Sequence, residues 1–241
     1  MFPRAPQLVI FDKDGTLIDF QKMWGRWAIG FAERMSVAVG HDLRAAFADA
    51  YGYDPVSAQI DPTGRLAIAS MAHMQQVAVQ IVVPHGVGMG DAYMIVQQAW
   101  QPPDPAHEAV PLVDVLALFT AIRAKGAQIA VATADNREPT LATLVHLGVA
   151  HLVGAVACAD DVGVAPKPAP DKIFAVCKTL GVAPCDAIML GDTPADMQMG
   201  HNAGVMAQIG VTSGLSGISD LQPYASYIMP TVAGLWQYWP Q

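Results

Sequence analysis

The sequence predicts an α/β fold in which a parallel β-sheet lies between two layers of helices, with a second, all-helical domain inserted into it. Three observations lead to this prediction. Short apolar runs alternate along the chain with longer amphipathic segments, the runs are apolar at consecutive positions, and about ninety residues of purely helical character separate the first run from the rest.

The apolar runs are the expected strands. Strands that are covered on both faces are apolar at every position, whereas a strand with one solvated face alternates. The runs found here are bounded by Gly, Asp, Thr or Pro, so they predict the strands of a parallel sheet buried between helices. They are Leu8–Phe11, Ile129–Ala132, Leu152–Val156, Ala187–Leu190 and Val205–Ile209.

Segments with helical spacing separate the later strands. Each is followed directly by a glycine, the residue that most readily adopts the left-handed conformation of a helix C-terminal cap. The predicted helices are Leu112–Lys125, Pro139–Leu147, Pro170–Leu180 and Pro194–Ala203.

The inserted region is expected to form a domain of its own. A parallel pair of strands needs a connection of only about a dozen residues, so residues 19–108 are interpreted as an insertion, and residues 1–18 with 109–241 as the core. Helices are predicted at Phe20–Val39, Asp42–Tyr51 and Gly64–Val83. Ligands of parallel sheets bind at the carboxyl ends of the strands, and the insertion leaves the core there, so we expect it to act as a lid.

Composition excludes several classes of protein. A net charge of −8, from 13 basic and 21 acidic residues, argues against a nucleic-acid binder, because such proteins present a basic surface to the phosphate backbone. No apolar run approaches the ~20 residues that a membrane-spanning helix needs. Three cysteines without a paired spacing suit a reducing compartment. We therefore expect a cytoplasmic protein. The expected assembly is a monomer or homodimer.

Four polar motifs follow predicted strands or precede predicted helices of the core. Asp12 and Asp14 come directly after the first strand and are followed by Gly15, and Thr133 ends the second strand. Each feature has a plainer explanation when it is taken alone, since Asp and Gly are common in turns and Thr often caps a helix.

Lys167 lies between two prolines ahead of a helix, and Asp192 and Asp196 follow the Ala187–Leu190 strand. A surface lysine and a helix cap are again the plainer explanations for these two motifs. The ordered set of acid pair, hydroxyl, lysine and acid pair at the sheet edge is more specific than any single member.

This set resembles the haloacid dehalogenase-like superfamily, in its phosphatase branch with a helical C1-type cap, as in phosphoglycolate phosphatases. The resemblance rests on Asp-Lys-Asp-Gly-Thr at 12–16, Lys-Pro-Ala-Pro-Asp at 167–171 and Gly-Asp-Thr-Pro-Ala-Asp at 191–196. It covers residues 7–20 and 111–215 and implies a three-layer Rossmann-like core.

The resemblance also implies roles for the motif residues. Asp12 is expected to be the nucleophile that forms an aspartyl phosphate, and Asp14 the general acid and base. Thr133 and Lys167 are expected to bind the phosphoryl oxygens. The implied cofactor is Mg²⁺, held by Asp12, by the backbone carbonyl of Asp14 and by Asp192, with Asp196 as a ligand through water or as a support.

Charge balance agrees with these roles, because crowded carboxylates need a divalent cation and a lysine to remain ionised. Lys13 is expected to point away from the site. Asp14 favours cleavage of P–O bonds, since the dehalogenases of the superfamily lack an acid at that position. Arg65, in the insertion, is a candidate contact for an anionic group of the substrate, with a solvated surface arginine as the alternative.

The expected substrate is a small phosphorylated metabolite. A phosphomutase that uses the same aspartyl phosphate is the nearest alternative function. A non-catalytic binding module of the same fold is a second alternative, which the presence of all the motif residues disfavours.

Overall fold

The chain divides into two compact units in the computed structural model, which describes residues 1–69, 71–105 and 107–240. The first unit consists of residues 1–19 and 104–241, and the second is the continuous segment Phe20–Pro103. Across the described residues, every helix is too short or too polar to cross a lipid bilayer.

The first unit contains a parallel sheet. Within the described residues it has six strands in the order β3-β2-β1-β4-β5-β6, and every neighbouring pair is parallel. This is the doubly wound arrangement, in which the order of successive strands along the sheet reverses between β1 and β4. The strands are β1 (Leu8–Phe11), β2 (Gln128–Ala132), β3 (Ala155–Ala157), β4 (Ala187–Gly191), β5 (Ala207–Val211) and β6 (Tyr227–Met229).

The helices are divided between the two units. In the second unit, a π-helix at Gln21–Gly25 leads into α1 (Arg26–Val39), followed by α2 (Arg44–Tyr51), α3 (Arg65–Ile68), α4 (Met71–Val82), a 3₁₀ turn at Val83–His85 and α5 (Met89–Ala99). The first unit contains α6 (Val115–Ala124), α7 (Arg137–His146), α8 (Asp171–Leu180), α9 (Pro194–Ala203) and α10 (Ile218–Leu221), with 3₁₀ turns at Ala150–Leu152, Pro184–Asp186 and Val232–Gln237.

Both faces of the sheet are buried, as the consecutive apolar residues predict. Ile10 of β1 belongs to a cluster with Ile173 of α8 and Met199 of α9 on one face. The next residue, Phe11, points to the other face, where its ring centroid lies 5.1 Å from that of Phe119 on α6. Successive strand residues alternate between faces, so helices must cover both faces, and the predicted α/β fold class is confirmed.

Two predicted strands are displaced along the sequence. The fifth strand begins at Ala207 rather than Val205, because Val205 completes the C-terminal cap of α9. Its N–H donates to the carbonyl of Gly200, and Gly204 donates to His201 in the left-handed conformation. In this Schellman cap the residue after the glycine is typically apolar. The third strand begins at Ala155, and Ala150–Leu152 forms a 3₁₀ turn instead.

Several elements were not predicted. β6, at the edge of the sheet next to β5, has three residues, which are too few to form a recognisable apolar run. The predicted helix Gly64–Val83 is divided, because Ala69 is extended (φ −90°, ψ 153°). α5 was missed because glycines at 86, 88 and 90 precede or begin it, and Gly88 provides its extended N-cap.

The packing of α6 against β1 leads to a stability prediction. Phe119 is fully buried, so Phe119→Ala should lower the free energy of unfolding by about 3–5 kcal/mol, through lost burial and a residual cavity. Leu116→Ala on the same helix is the control, since Leu116 is 45% exposed. Chemical denaturation measures both variants, and equal losses would contradict the packing described.

Candidate active site

The motif residues are brought together where the strand order reverses. Asp12 directly follows β1, and Asp192 directly follows β4, the neighbouring strand on one side. Thr133 directly follows β2, the neighbour on the other side. Because the carboxyl ends of parallel strands share one edge of the sheet, these three residues lie at the position where doubly wound proteins bind ligands.

Lys167 joins two of the carboxylates. Its ammonium lies 2.5 Å from Oδ1 of Asp12 and 2.5 Å from Oδ1 of Asp196. Both acids are buried, and the lysine side chain is nearly so. The ammonium therefore connects the end of β1 to the first turn of α9, with little solvent to screen its charge.

Asp196 uses its second carboxylate oxygen to cap α9. Its Oδ2 accepts hydrogen bonds from the backbone N–H (3.1 Å) and the hydroxyl (2.6 Å) of Thr193, and its own N–H donates to that hydroxyl. Gly191 leaves room for it, since a Cβ there would lie 2.3 Å from the Cβ of Asp196. With both oxygens engaged, Asp196 supports Lys167, and its role as a metal ligand stays a prediction.

Asp192 lies in a cradle formed by two loops. Its Oδ2 accepts a hydrogen bond from the N–H of Leu215 (2.9 Å), and the hydroxyl of Thr16 donates to Oδ1 over 3.4 Å. Gly15 and Gly214 contact the carboxylate so closely that a Cβ would fall 2.4 Å and 2.0 Å, respectively, from Oδ2. The carboxylate orientation is therefore determined by backbone on both sides.

Sequence reasoning missed the second of these loops. Ser213 also belongs to it, because its hydroxyl donates to the carbonyl of Gly15 (2.9 Å) and joins the two loops. The available signal was the polar and small segment Thr212-Ser213-Gly214, which follows β5 at the same edge of the sheet. No motif of the resemblance pointed to it.

Asp14 forms a separate cluster with Lys13. The ammonium of Lys13 lies 3.0 Å from Oδ1 and 2.8 Å from Oδ2 of Asp14, and 3.1 Å from Oδ2 of Asp135. The prediction that Lys13 points away from the motif acids was wrong. It assumed strand-like alternation, but the chain turns immediately after Asp12, where the N–H of Leu17 donates to the carbonyl of Lys13.

Besides Lys167, two further substrate contacts are expected, and they lie in different units. Thr133 is buried at the end of β2, and its hydroxyl accepts a hydrogen bond from the N–H of Asp135 (3.1 Å). Arg65 is exposed at the start of α3 in the second unit, where its guanidinium donates to the carbonyl of Ala50 (2.7 Å). Substrate binding by either residue stays a prediction.

The buried cluster carries more negative than positive charge. Burial raises the pKa of Asp12 from 3.8 to about 7, against the opposing effect of Lys167, and Asp196 and Asp14 raise it further. Burial, together with the neighbouring Asp12 and Asp196, raises the pKa of Asp192 well above its ordinary value. Burial would lower the pKa of Lys167, but Asp12 and Asp196 outweigh it and raise that pKa.

The donor set fits a divalent cation. One carboxylate oxygen from each of Asp12, Asp192 and Asp196 lies within 4.8 Å of the others, and all three residues are buried. Three carboxylates and the ammonium of Lys167 leave two negative charges uncompensated when all are ionised. Mg²⁺ prefers oxygen donors and is typically held by one or two carboxylates, and Asp12 and Asp192 can provide these while Asp196 holds the lysine.

The cradle around Asp192 predicts the effect of a single methyl group. Gly214→Ala should displace Asp192 and weaken Mg²⁺ binding by about 10- to 100-fold, the usual cost of losing support for a metal ligand. Gly217→Ala is the matched control, because its Cβ would make an ordinary 3.5 Å contact with Asp220. Isothermal titration with Mg²⁺ measures both affinities, and equal values would contradict the cradle.

The raised carboxyl pKa values predict how stability depends on pH. A carboxyl whose pKa is higher in the folded state contributes stability at acid pH that is lost as pH rises to that pKa. Without divalent cations, the melting temperature should therefore fall as pH rises from about 4 to about 7, the range given by Asp12. Mg²⁺ should stabilise the protein more at pH 8 than at pH 5.

Thermal denaturation in EDTA and in Mg²⁺ measures this difference. Asp192→Asn should reduce the Mg²⁺-dependent stabilisation at pH 8, because it removes one buried charge that the cation compensates. A melting temperature that rises with Mg²⁺ equally at both pH values would contradict the assignment.

Comparison with known proteins agrees with the fold. Phosphoglycolate phosphatase of Rhodospirillum rubrum is 27% identical over 208 residues, which cover 83% of this chain and 77% of that protein. Fructose-1-phosphate phosphatase YqaB of Escherichia coli is 28% identical over 203 residues, covering 83% and 93%. The solved structure of a predicted phosphoglycolate phosphatase from Haemophilus somnus 129PT superimposes with a TM-score of 0.65 at 18% identity, over 96% of both chains.

The family itself is shown by a sequence model of haloacid dehalogenase-like hydrolases, which matches residues 6–204. All the motif residues from Asp12 to Asp196 lie within this range, and the resemblance inferred from them is confirmed. The chain belongs to the haloacid dehalogenase-like hydrolase family.

Proposed function

We propose that the chain is a Mg²⁺-dependent phosphatase that hydrolyses a small phosphomonoester through an aspartyl phosphate on Asp12. The observation that carries the proposal is the buried carboxylate of Asp12, which is paired with Lys167 and lies beside Asp192 where the sheet order reverses. Membership of a hydrolase family and similarity to two phosphatases support it.

In the first step, a carboxylate oxygen of Asp12 attacks phosphorus and forms an acyl phosphate, while the bond from phosphorus to the alcohol oxygen breaks. The leaving oxygen needs a proton, which the Asp14 carboxyl donates. In the second step, Asp14 takes a proton from water, the water oxygen attacks phosphorus, and the carboxylate of Asp12 is released together with inorganic phosphate.

Lys167 and Thr133 act on the phosphoryl group in this scheme. The ammonium of Lys167 offsets charge that Asp12 shares with the phosphoryl oxygens, and the Thr133 hydroxyl donates to one of them. Asp12, the Asp14 carbonyl and Asp192 would hold Mg²⁺, which would supply the remaining positive charge. The raised pKa of Asp12, about 7 without a metal, supports a cation requirement, because only the ionised carboxylate attacks.

The proposed substrate class is a small anionic metabolite with one phosphate ester. Its support is the similarity to enzymes named for phosphoglycolate and fructose 1-phosphate. Fold does not determine substrate, so the class follows from the relatives and from the candidate contact Arg65. We also propose a cytoplasmic location, in keeping with the free thiols of Cys158, Cys177 and Cys185, and a monomer or homodimer.

Release of inorganic phosphate from a panel of phosphorylated metabolites tests the function. With Mg²⁺, the wild-type protein should turn over at least one phosphomonoester many times. Asp12→Asn should reduce kcat by about 10⁴-fold or more, because the amide keeps the shape but cannot attack. Asp186→Asn is the matched control. Asp186 pairs with Arg4 and directly precedes β4, at the end of the strand opposite to the site.

The outcomes separate the alternatives. Steady phosphate release favours a phosphatase, whereas a long-lived phosphoenzyme that needs a sugar bisphosphate for turnover would indicate a phosphomutase. Mg²⁺-dependent turnover by Asp12→Asn at the wild-type rate would contradict the nucleophile assignment. Absence of turnover across the whole panel would favour a binding module.

A further inference from the structure

We infer that Lys13, anchored by Asp135, is the positioning residue for the Asp14 carboxylate during proton transfer to the leaving group. The inference rests on the proposed function, because it concerns the group that acts as general acid and base there. It is carried by the geometry of three side chains, of which two, Lys13 and Asp135, have no assigned role.

Lys13 is buried to a degree that requires partners. It is 1% exposed, and lysine is almost never fully buried unless it is paired. Its ammonium contacts both oxygens of Asp14, at 3.0 and 2.8 Å, and one oxygen of Asp135, at 3.1 Å. The charge of the buried lysine is therefore compensated by these two carboxylates, and losing them would leave a buried cation without a partner.

Three hydrogen bonds to neighbouring residues hold Asp135 in place. Its Oδ1 accepts from the N–H of Asn136 (2.8 Å), its N–H donates to the Thr133 hydroxyl (3.1 Å), and its carbonyl accepts from the N–H of Ala159 (2.8 Å). Oδ2 is the oxygen that pairs with Lys13. The loops after β2 and β3 thus hold Asp135, and Asp135 holds the lysine.

Asp14 itself is less enclosed. Its side chain is 23% exposed and follows Asp12 in a turn, so its rotamer is not determined by packing alone. A general acid must lie within about 2.6–3.2 Å of the oxygen that it protonates. Lys13 donates a hydrogen bond to Oδ1 of Asp14, and its ammonium also lies 2.8 Å from Oδ2, so the contact restricts the orientation of the carboxylate.

The reaction step provides a readout for this role. As the bond from Asp12 to phosphorus forms and the bond to the alcohol oxygen breaks, the Asp14 proton moves to that oxygen. An alkyl alcohol needs the proton, whereas dinitrophenolate is stable without it. Misplacing Asp14 should therefore reduce turnover of alkyl phosphates selectively, while general damage to the site should reduce both.

The experiment compares kcat/KM for an alkyl phosphate, the best metabolite from the panel, with kcat/KM for 2,4-dinitrophenyl phosphate. Lys13→Met should lower the ratio of the two values by about 10- to 100-fold, the cost of misplacing a reacting group by about 1 Å. Asp14→Asn sets the maximum change in the ratio. Asp135→Ala should lower the ratio less than Lys13→Met does. The double variant, with both substitutions, should lower it no further than Lys13→Met alone, because Asp135 acts on Asp14 through Lys13.

Lys172→Met is the matched control. Lys172 is also 1% exposed, but it donates to the backbone carbonyl of Cys158 rather than to Asp14. The variant removes a buried ammonium of the same size and should keep the wild-type ratio. If Lys13→Met does not fold, Asp135→Asn replaces it in the test, because Asp135 is 34% exposed and the substitution keeps its shape.

A ratio that is raised or unchanged in Lys13→Met, including equal losses with both esters, would overturn the inference. The proposed function would still hold in that case, provided that the wild-type protein turns over its substrate. Failure of the wild-type protein to cleave either ester would overturn the proposed function, and the inference with it. A lowered ratio in Lys13→Met, absent in Lys172→Met, supports the positioning role.

Discussion

The buried ion pairs of Lys167 with Asp12 and Asp196 are the interaction on which the site depends. Desolvating a carboxylate is costly, and the cost is recovered only when an opposite charge lies in good geometry. Lys167 meets that condition for two acids at once. It precedes α8, Asp12 directly follows β1 and Asp196 lies in the first turn of α9, so the lysine joins three separate parts of the core by one charge.

One lysine does not balance three carboxylates, and this imbalance gives the site its chemistry. Burial and the neighbouring carboxylates raise the pKa values of Asp12 and Asp192, so ionising the whole cluster is unfavourable without a further positive charge. Asp192 is nevertheless held rigidly, by Leu215 and by the close approach of Gly15 and Gly214. A rigid oxygen donor in a region of excess negative charge is suited to a divalent cation, and a cation in turn attracts a phosphoryl group.

The two lysines of the site divide the carboxylates into two groups with different surroundings. Lys167 pairs with the deeply buried Asp12, the proposed nucleophile, and Lys13 pairs with the more exposed Asp14, the proposed acid and base. A nucleophile gains from burial, which removes competing water, whereas a group that exchanges protons with water needs access to solvent. Two carboxylates two residues apart can therefore perform different tasks because different ammonium groups hold them.

The sequence by itself determined the fold class, the family and the identity of the motif acids, because these depend on local patterns. Consecutive apolar residues marked β1 at its observed bounds, and capping residues marked α9 in the same way. Such patterns record which faces of an element are buried, and they do so without reference to distant parts of the chain. Where a cap residue was also apolar, as at Val205, the same pattern misplaced the start of a strand.

Only the tertiary structure decided how the side chains pair. The Ser213 hydroxyl meets the Gly15 carbonyl across 198 residues, and Lys13 reaches Asp135 on a neighbouring strand's loop. These contacts depend on strand order and on the direction of the turn after Asp12, neither of which local periodicity encodes. The same applies to Asp196, whose motif did not indicate that its two oxygens bind Lys167 and Thr193; its role toward a metal stays a prediction. The sequence motifs identified the candidate site residues, and the tertiary structure determined which of their charged groups pair.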